Sequence, residues 1–170
     1  MPNFDAYNIG ETSELIHLES CEENQLVATC MAQKCRRFLD ISSRQLDPPI
    51  FNTPGFVEAL RQLIIKKRRP RVRIIVFDPE TMVRYGHQLL ELASRYSSFM
   101  EMRKASEEFR NYNEFLLVAD EAAYLHRNNT ARYEATANFN DRKQSKFYLD
   151  AFVTMLELAS PDPNLRQMHL

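Results

Sequence analysis

The chain has no tryptophan, only 3 glycines and 3 cysteines, and no apolar run near the roughly 20 residues that a membrane span needs. Because Cys21, Cys30 and Cys35 show no CxxC spacing, the sequence predicts reduced thiols rather than a disulfide or metal site. No two histidines show HxH or HxxxH spacing, so no metal is expected. The scarcity of glycine argues against a phosphate-cradling loop. We therefore expect no cofactor.

An excess of charge of one sign is also missing. The chain has 22 lysines and arginines against 23 aspartates and glutamates, a net charge of −1. No global field therefore attracts it to nucleic acid or to an anionic membrane, and neither is expected as a partner. One local exception is a basic run that could contact phosphates, or could simply be a solvated loop. This run consists of Lys66, Lys67, Arg68, Arg69, Arg71 and Arg73 and is interrupted by Pro70.

The N-terminal residues, MPNFDAYNIGETSE, lack the basic start and apolar block of a secretory signal. The sequence thus predicts a cytoplasmic protein. Its 170 residues fit one domain of common size. We place that domain at residues 23–160, after an N-terminal arm at 1–22 and before a C-terminal tail at 161–170.

The apolar pattern alternates between helical and strand periods along the first half of the chain. Helices are predicted over 24–37, 54–67, 79–97 and 141–160, and a proline-rich loop over 44–54. Strands are predicted over 38–43, 72–78, 99–105, 114–120, 122–128 and 131–139, the last three joined as antiparallel hairpins. The alternation implies right-handed βαβ crossovers. The predicted fold is an α/β sandwich with a mixed sheet, parallel in its first half, antiparallel in its second, with helices on both faces.

The order of the predicted helices and strands resembles that of the phospholipase D superfamily over roughly residues 35–158. The stretch NEFLLVAD, residues 113–120, resembles the strand that carries the catalytic motif of that superfamily. In that superfamily an HxKxxxxD motif precedes a GSxN element. The histidine attacks phosphorus, and the lysine and asparagine hold phosphate oxygens. Setting the motif aspartate on Asp120 puts Asn113 at the histidine and Phe115 at the lysine. The resemblance implies the superfamily's frame with a degenerate motif, since neither residue can perform the role.

The second element is also altered in ATAN, residues 135–138. Thr136 stands at the serine and Asn138 matches the asparagine, but the interval from Asp120 is longer than usual, as if the hairpin HRNNTARYE had been inserted. The segments SRQLDPPIFNTPGFVEAL, RVRIIVFDP, ATANFND and SPDPNLRQMHL resemble an uncharacterised bacterial family of small phospholipase D-like domains. Some members adjoin or are fused to acetyltransferases. The resemblance implies an accessory role, an acetyltransferase as a candidate partner, and a homodimer that pairs two motif copies.

Other polar residues offer alternative sites. His126 could be a relocated nucleophile, with Arg127 or Arg132 stabilising charge, or it could be an ordinary strand histidine. Arg44 follows the first predicted strand, and ligands of open α/β sheets bind at such strand ends. Its alternative role is a loop-anchoring ion pair with Asp47. The full set of candidate ligand-binding residues is Arg44, Asn113, Arg127, Arg132, Asn138 and Asn140.

Three functions remain open. The leading one is a non-catalytic phospholipase D-like accessory or interaction domain that retains anion or phosphate binding, and on this interpretation the chain is not an enzyme. The second is a phosphodiesterase or nuclease that uses His126. The third is nucleic-acid binding through the basic run at 66–73. Among the other histidines, His87 is expected to be solvated, and His17 and His169 have no motif around them.

Overall fold

The computed structural model describes residues 3–166, so that His169 lies outside the described residues. Seven strands form one sheet in the order β1-β7-β6-β5-β2-β3-β4. The strands are β1 Ile16–Leu18, β2 Phe38–Ser43, β3 Arg71–Val76, β4 Met100–Lys104, β5 Phe115–Ala119, β6 Ala123–Arg127 and β7 Ala135–Asn138. The helices are α1 Cys21–Lys34, α2 Pro48–Phe51, α3 Pro54–Lys66, α4 Pro79–Tyr85, α5 Gln88–Arg95 and α6 Arg142–Leu158, with short 3-10 helices at Glu107–Phe109 and Pro163–Arg166.

The parallel half of the sheet consists of β2, β3 and β4. Parallel neighbours need crossover connections, which α3 supplies between β2 and β3, and α4 and α5 supply between β3 and β4. Thr53 begins α3 by accepting a hydrogen bond from the Phe56 amide at 3.3 Å, and Pro54 occupies the first helical position. The nearly continuous apolar run of β3 is typical of a strand covered on both faces.

The antiparallel half joins β2 to β5, β5 to β6, β6 to β7, and β7 to β1. The predicted mixed sheet, with its parallel first half and its antiparallel second half, is therefore confirmed. Strand β1 comes from the segment expected to be an arm. It pairs with β7 at the edge of the sheet, where Ile16 lies opposite Ala137.

Helices cover both faces of the sheet. On one, called here the α1 face, the core includes α1, α3 and α5 together with Phe115, Leu117 and Ala119 of β5. On the other, the α6 face, Leu116 and Val118 of the same strand pack against α6. Successive residues of a strand point to opposite faces, so sequence neighbours on one strand have different surroundings.

Two local departures from the predicted elements have simple causes. The helix expected over 79–97 is divided, because Gly86 ends α4 with φ 72° and His87 begins α5 as its N-cap. The proline-rich loop contains the short helix α2, whose Ile50 and Phe51 are buried in the core. No helix within residues 3–166 combines the length and apolarity that crossing a membrane requires.

Candidate functional site

Asn113 lies just before β5 and is held by the loop that follows β6. Its Nδ2 donates to Asn129 Oδ1 at 3.0 Å, and Thr130 Oγ1 donates to Asn113 Oδ1 at 2.5 Å. The Thr130 amide also donates to the Asn113 carbonyl at 3.0 Å. Both polar ends of the Asn113 side chain are therefore used to clamp two loops together. Sequence reasoning missed Asn129 and Thr130, although asparagines and threonines of a turn commonly make such contacts.

Phe115 is a core residue, 1% exposed. Its ring lies 5.3 Å from that of Phe51, and the guanidinium of Arg127 lies 5.2 Å from its centroid. The register of β5 and β6 sets Phe115 directly opposite Arg127. A cation thus lies on the neighbouring strand, across from the position at which the resemblance expected a lysine.

Arg127 is itself 1% exposed, and within residues 3–166 it forms one ion pair, with Asp47, at 2.6 Å from Nη2 to Oδ2. A second aromatic ring, that of Tyr133, lies 5.4 Å from the guanidinium carbon. The Nε and Nη1 groups of Arg127 contact no acceptor among residues 3–166. Asp47 therefore pairs with Arg127 and not with Arg44, because Arg44 donates instead to the carbonyl of Tyr112 at 2.7 Å.

Asp120 follows β5 at the opposite end of that strand, about 16 Å from its start at a rise of about 3.3 Å per residue. Its carboxylate accepts hydrogen bonds from the amides of Arg36, Arg37 and Phe38 at 2.7, 2.9 and 3.0 Å. Burial, followed by the charge of Asp120, raises the pKa of the Cys35 thiol. Asp120 thus anchors the beginning of β2. The three motif positions serve a loop clamp, a core ring and a backbone anchor, and do not form one site.

His126 faces the α6 side of the sheet. Its ring stacks on Tyr148 at 4.5 Å between centroids, and its Nε2 lies 3.3 Å from Glu114 Oε1. Burial lowers the pKa of His126, and the charge of Glu114 opposes this shift only in part. The imidazole is therefore neutral at neutral pH. It borders a cleft of about 240 Å³ that His17 and Thr136 also line.

Neither arginine that was expected to assist His126 supports it. Arg127 is on the same strand but points to the α1 face, because alternate strand residues face opposite ways. Arg132 is exposed and lies 3.8 Å from Glu134. In the cleft, Thr136 is the cross-strand neighbour of His126 on β7.

The remaining predicted ligand residues are not gathered at one place. Asn138 lies on β7, two strands from β5, where its Oδ1 accepts from the Asn140 amide at 3.0 Å. Asn138 pairs in register with Tyr124 near the start of β6, whereas Arg127 ends β6. Arg44 follows β2, as expected, and borders a cavity of about 320 Å³ with Phe77, Lys104, Arg110 and three carboxylates. That cavity has charges of both signs.

A basic surface lies at the other end of the parallel strands, where β2 and β3 begin. Arg36 and Arg37 follow α1, Arg68 and Arg69 follow α3, and these four line a shallow cavity of about 390 Å³. Arg37 Nε donates to the Arg69 carbonyl at 3.2 Å, and the amide of Arg71 donates to the Arg37 carbonyl at 2.8 Å. We call the basic patch the set Arg36, Arg37, Lys66, Lys67, Arg68, Arg69 and Arg71.

The basic patch differs from the predicted basic run at two points. Arg36 and Arg37 belong to it although they lie some 30 residues earlier in the chain, and their adjacency at a helix end was the only sequence signal. Arg73 does not belong to it. Its Nε lies 2.7 Å from Asp40 Oδ1, and its side chain is only 15% exposed. Among residues 3–166, no three or more histidine, cysteine, aspartate or glutamate side chains converge as a metal site would require.

Solved structures with this arrangement define the class of fold. The chain is similar to NucT from Helicobacter pylori with a TM-score of 0.63 and 11% identity, over 88% of this chain and 100% of that one. It is similar to Nuc from Salmonella typhimurium, a phospholipase D family member, with a TM-score of 0.60 and 15% identity, over 86% and 95% of the two chains. TrmBL2, an archaeal chromatin protein, gives a TM-score of 0.64 and 11% identity over 88% of this chain, which spans 55% of TrmBL2. The fold is phospholipase D-like.

The family of the chain is also established. The model of DUF7931, described as a domain of unknown function, matches residues 20–168, and the chain belongs to that family. No curated protein matches the chain.

Proposed function

We propose that this chain is a phospholipase D-like domain without phosphodiester hydrolysis, which acts as an accessory or interaction domain. One observation carries the proposal: each of the three positions that match the HxKxxxxD motif performs a structural task. Asn113 clamps a loop, Phe115 fills the core beside Phe51, and Asp120 holds the backbone at the start of β2. A side chain engaged in this way is not available to a substrate.

The chemistry agrees with that assignment. In-line attack on a phosphodiester needs a nucleophilic lone pair and cations close to the equatorial oxygens. The amide nitrogen of Asn113 has no such lone pair, because it is conjugated with the carbonyl. Arg127 is a cation at the same end of the sheet as Asn113, but it is buried and paired with Asp47. With 1% of its surface exposed, Arg127 offers no accessible face to a substrate phosphate in solvent.

The second candidate is a phosphodiesterase that uses His126. It is favoured by a neutral imidazole beside a cleft of about 240 Å³. Two contacts count against it. The Nε2 atom is engaged by Glu114, and the tyrosine ring of Tyr148 covers one face of the imidazole. The expected cation, Arg127, also lies on the other side of the sheet.

Hydrolysis of bis-p-nitrophenyl phosphate from mildly acidic to neutral pH tests the proposal. We would compare the wild type with His126→Ala and with the matched control His17→Ala, a histidine of the same cleft. No turnover above buffer in any of the three is expected. Turnover that is lost in His126→Ala but kept in His17→Ala would establish the second candidate instead. Turnover kept in both variants would also refute the proposal and would direct attention to another nucleophile.

The accessory role includes two partners that stay predictions. A homodimer and an acetyltransferase partner are implied by resemblance alone. Light scattering tests the homodimer, which would have twice the chain mass of 20.0 kDa.

The solved structure of TrmBL2 is described as showing a mode of DNA binding. For a non-catalytic domain of this fold, nucleic acid is therefore the first class of ligand to test.

A further inference from the structure

We propose that the basic patch binds the phosphate backbone of nucleic acid, at the end of the sheet opposite to Asn113 and Arg127. The proposal goes beyond the loss of hydrolysis and holds whether or not the domain retains catalysis. The patch lies where β2 begins, whereas Asn113 and Arg127 lie where β2 finishes. Six strand residues separate the two ends by about 20 Å. The two surfaces are therefore distinct.

The patch cations lack the carboxylate partners that several other surface cations have. Within residues 3–166, none of the seven lies in an ion pair. Exposed cations elsewhere do form them: Arg61 with Glu58, and Lys146 with Asp150. Uncompensated cations of this density produce a local positive potential on a chain whose net charge is −1. That potential suits an anionic partner.

Two arginines of the patch are held close together on one ring. The guanidinium carbons of Arg37 and Arg71 lie 4.6 and 4.3 Å from the centroid of the Phe38 ring. Cation–π contacts offset part of the repulsion between these like charges and fix the orientation of both groups. An arriving anion would relieve the remaining repulsion. The surface is thus preorganised for negative charge rather than randomly basic.

Several carboxylates lie near the patch and weaken its field without cancelling it. Asp120 is engaged by the amides of Arg36, Arg37 and Phe38, so its oxygens face the backbone. Glu121 is exposed and close enough to Arg71 to act on its charge. Asp40 also acts on the charge of Arg71, although it is paired with Arg73. Glu58 is paired with Arg61 and lies near enough to Lys66 for their charges to interact. Four carboxylates therefore stand against the seven cations of the patch.

The shape and composition of the patch favour a polyphosphate chain. The cavity between the two arginine pairs is shallow and open, so no single phosphate is enclosed, and binding must come from several contacts in a row. Duplex DNA offers one phosphate charge per roughly 1.7 Å of its axis. Most of the patch consists of arginine, whose planar guanidinium binds phosphate oxygens in bidentate fashion, whereas lysine acts as a point charge. This chemistry favours nucleic acid over an anionic membrane.

Fluorescence anisotropy with a short labelled DNA duplex and a poly-dT strand of equal length tests the proposal. Salt is varied between about 50 and 200 mM, the range over which several phosphate contacts change affinity strongly. Three fourfold variants are compared with the wild type, after thermal unfolding has shown that each is folded. The neutralised patch is Arg36→Gln, Arg37→Gln, Arg68→Gln and Arg69→Gln; the charge-retaining patch replaces the same four with lysine. The matched control is Arg84→Gln, Arg95→Gln, Lys143→Gln and Lys146→Gln, exposed cations elsewhere with the same change of charge.

The neutralised patch should bind at least tenfold more weakly than the wild type. Its plot of log affinity against log salt should be shallower by about 3 to 4, roughly one per lost phosphate contact. The lysine variant should keep most of the slope, and the control should match the wild type. Absence of salt-dependent binding by the wild type would overturn the proposal. So would equal losses in patch and control variants, or tighter binding to phosphatidylserine vesicles than to either DNA.

Discussion

The buried ion pair between Arg127 and Asp47 makes an asymmetric prediction about stability. Arg127 is 1% exposed and keeps its charge under all ordinary conditions, whereas the Asp47 side chain is 16% exposed and touches water. Replacing Asp47 by asparagine preserves its size and an acceptor oxygen, but leaves the guanidinium charge without a counter-charge. The side chain of Asp47 makes no capping hydrogen bond to α2, so the change does not remove a helix cap.

The expected magnitude follows from the burial of each partner. Removing one partner of a buried pair costs about 3–5 kcal/mol, because the other charge is left uncompensated. We expect Asp47→Asn to fall in that range. Arg127→Met leaves a carboxylate that water can reach, and the flexible methionine fills much of the space beside Phe115. Its cost should be smaller, about 1–2 kcal/mol. The double variant should be more stable than Asp47→Asn alone, since it has no buried charge.

Urea unfolding followed by circular dichroism measures these differences. With a slope of about 2 kcal/mol/M, a loss of 3 kcal/mol or more would lower the midpoint by about 1.5 M or more. Asp150→Asn, the same change at an exposed pair with Lys146, is the matched control and should leave the midpoint unchanged. The reasoning fails if Arg127→Met costs more than Asp47→Asn, or if the double variant is less stable than Asp47→Asn.

Two further predictions concern His87 and Asp120. Burial lowers the pKa of His87 below its ordinary value of 6.5. Because Nδ1 of His87 accepts a hydrogen bond from the Leu89 amide, the proton of the neutral ring is on Nε2, which donates to the Leu46 carbonyl. The unfolded chain therefore binds a proton that the folded chain resists, and the free energy of unfolding should fall as pH drops below about 6.5. The variant His87→Asn keeps an N-cap acceptor, and urea unfolding at pH 7 and pH 5 should show a smaller loss of unfolding free energy than in the wild type. A loss as large as that of the wild type would contradict this prediction. Asp120→Asn turns an amide group toward a backbone N–H at the start of β2 and should therefore cost about 1.5–3 kcal/mol of unfolding free energy. No loss in the same urea measurement would show that this anchor contributes nothing to stability.

Much of the fold could be predicted from local sequence pattern, and the elements that were predicted wrongly have local explanations. The apolar run of β3 and the closely spaced strands β5, β6 and β7 predicted the mixed sheet, because burial on two faces and tight turns both leave a sequence signature. Strand β1 was missed because three residues at a sheet edge show too little alternation to be recognised. The break at Gly86 had a signal, a glycine within a helical pattern, which the apolar period on either side concealed.

The candidate site was predicted less well. His87 was expected in solvent but is 7% exposed, because it caps α5 and contacts the chain near α2. Arg73 was assigned to the basic run, but it lies two residues further along β3 than Arg71, where it contacts buried Asp40 and the Phe152 ring of α6. These outcomes depend on which partner lies opposite, and a single sequence does not contain that information.

Without any structure, the sequence already specifies the residue types at Asn113 and Phe115, the balance of charge, and the order of most helices and strands. Each of these is either composition or short-range pattern. Tertiary structure alone decided that Arg127 lies opposite Phe115, and that Arg36 and Arg37 join Arg68 and Arg69 in one surface. The physical reason is that strand register and the packing of helix ends are set by contacts between segments distant in the chain, whose free energy depends on the whole core.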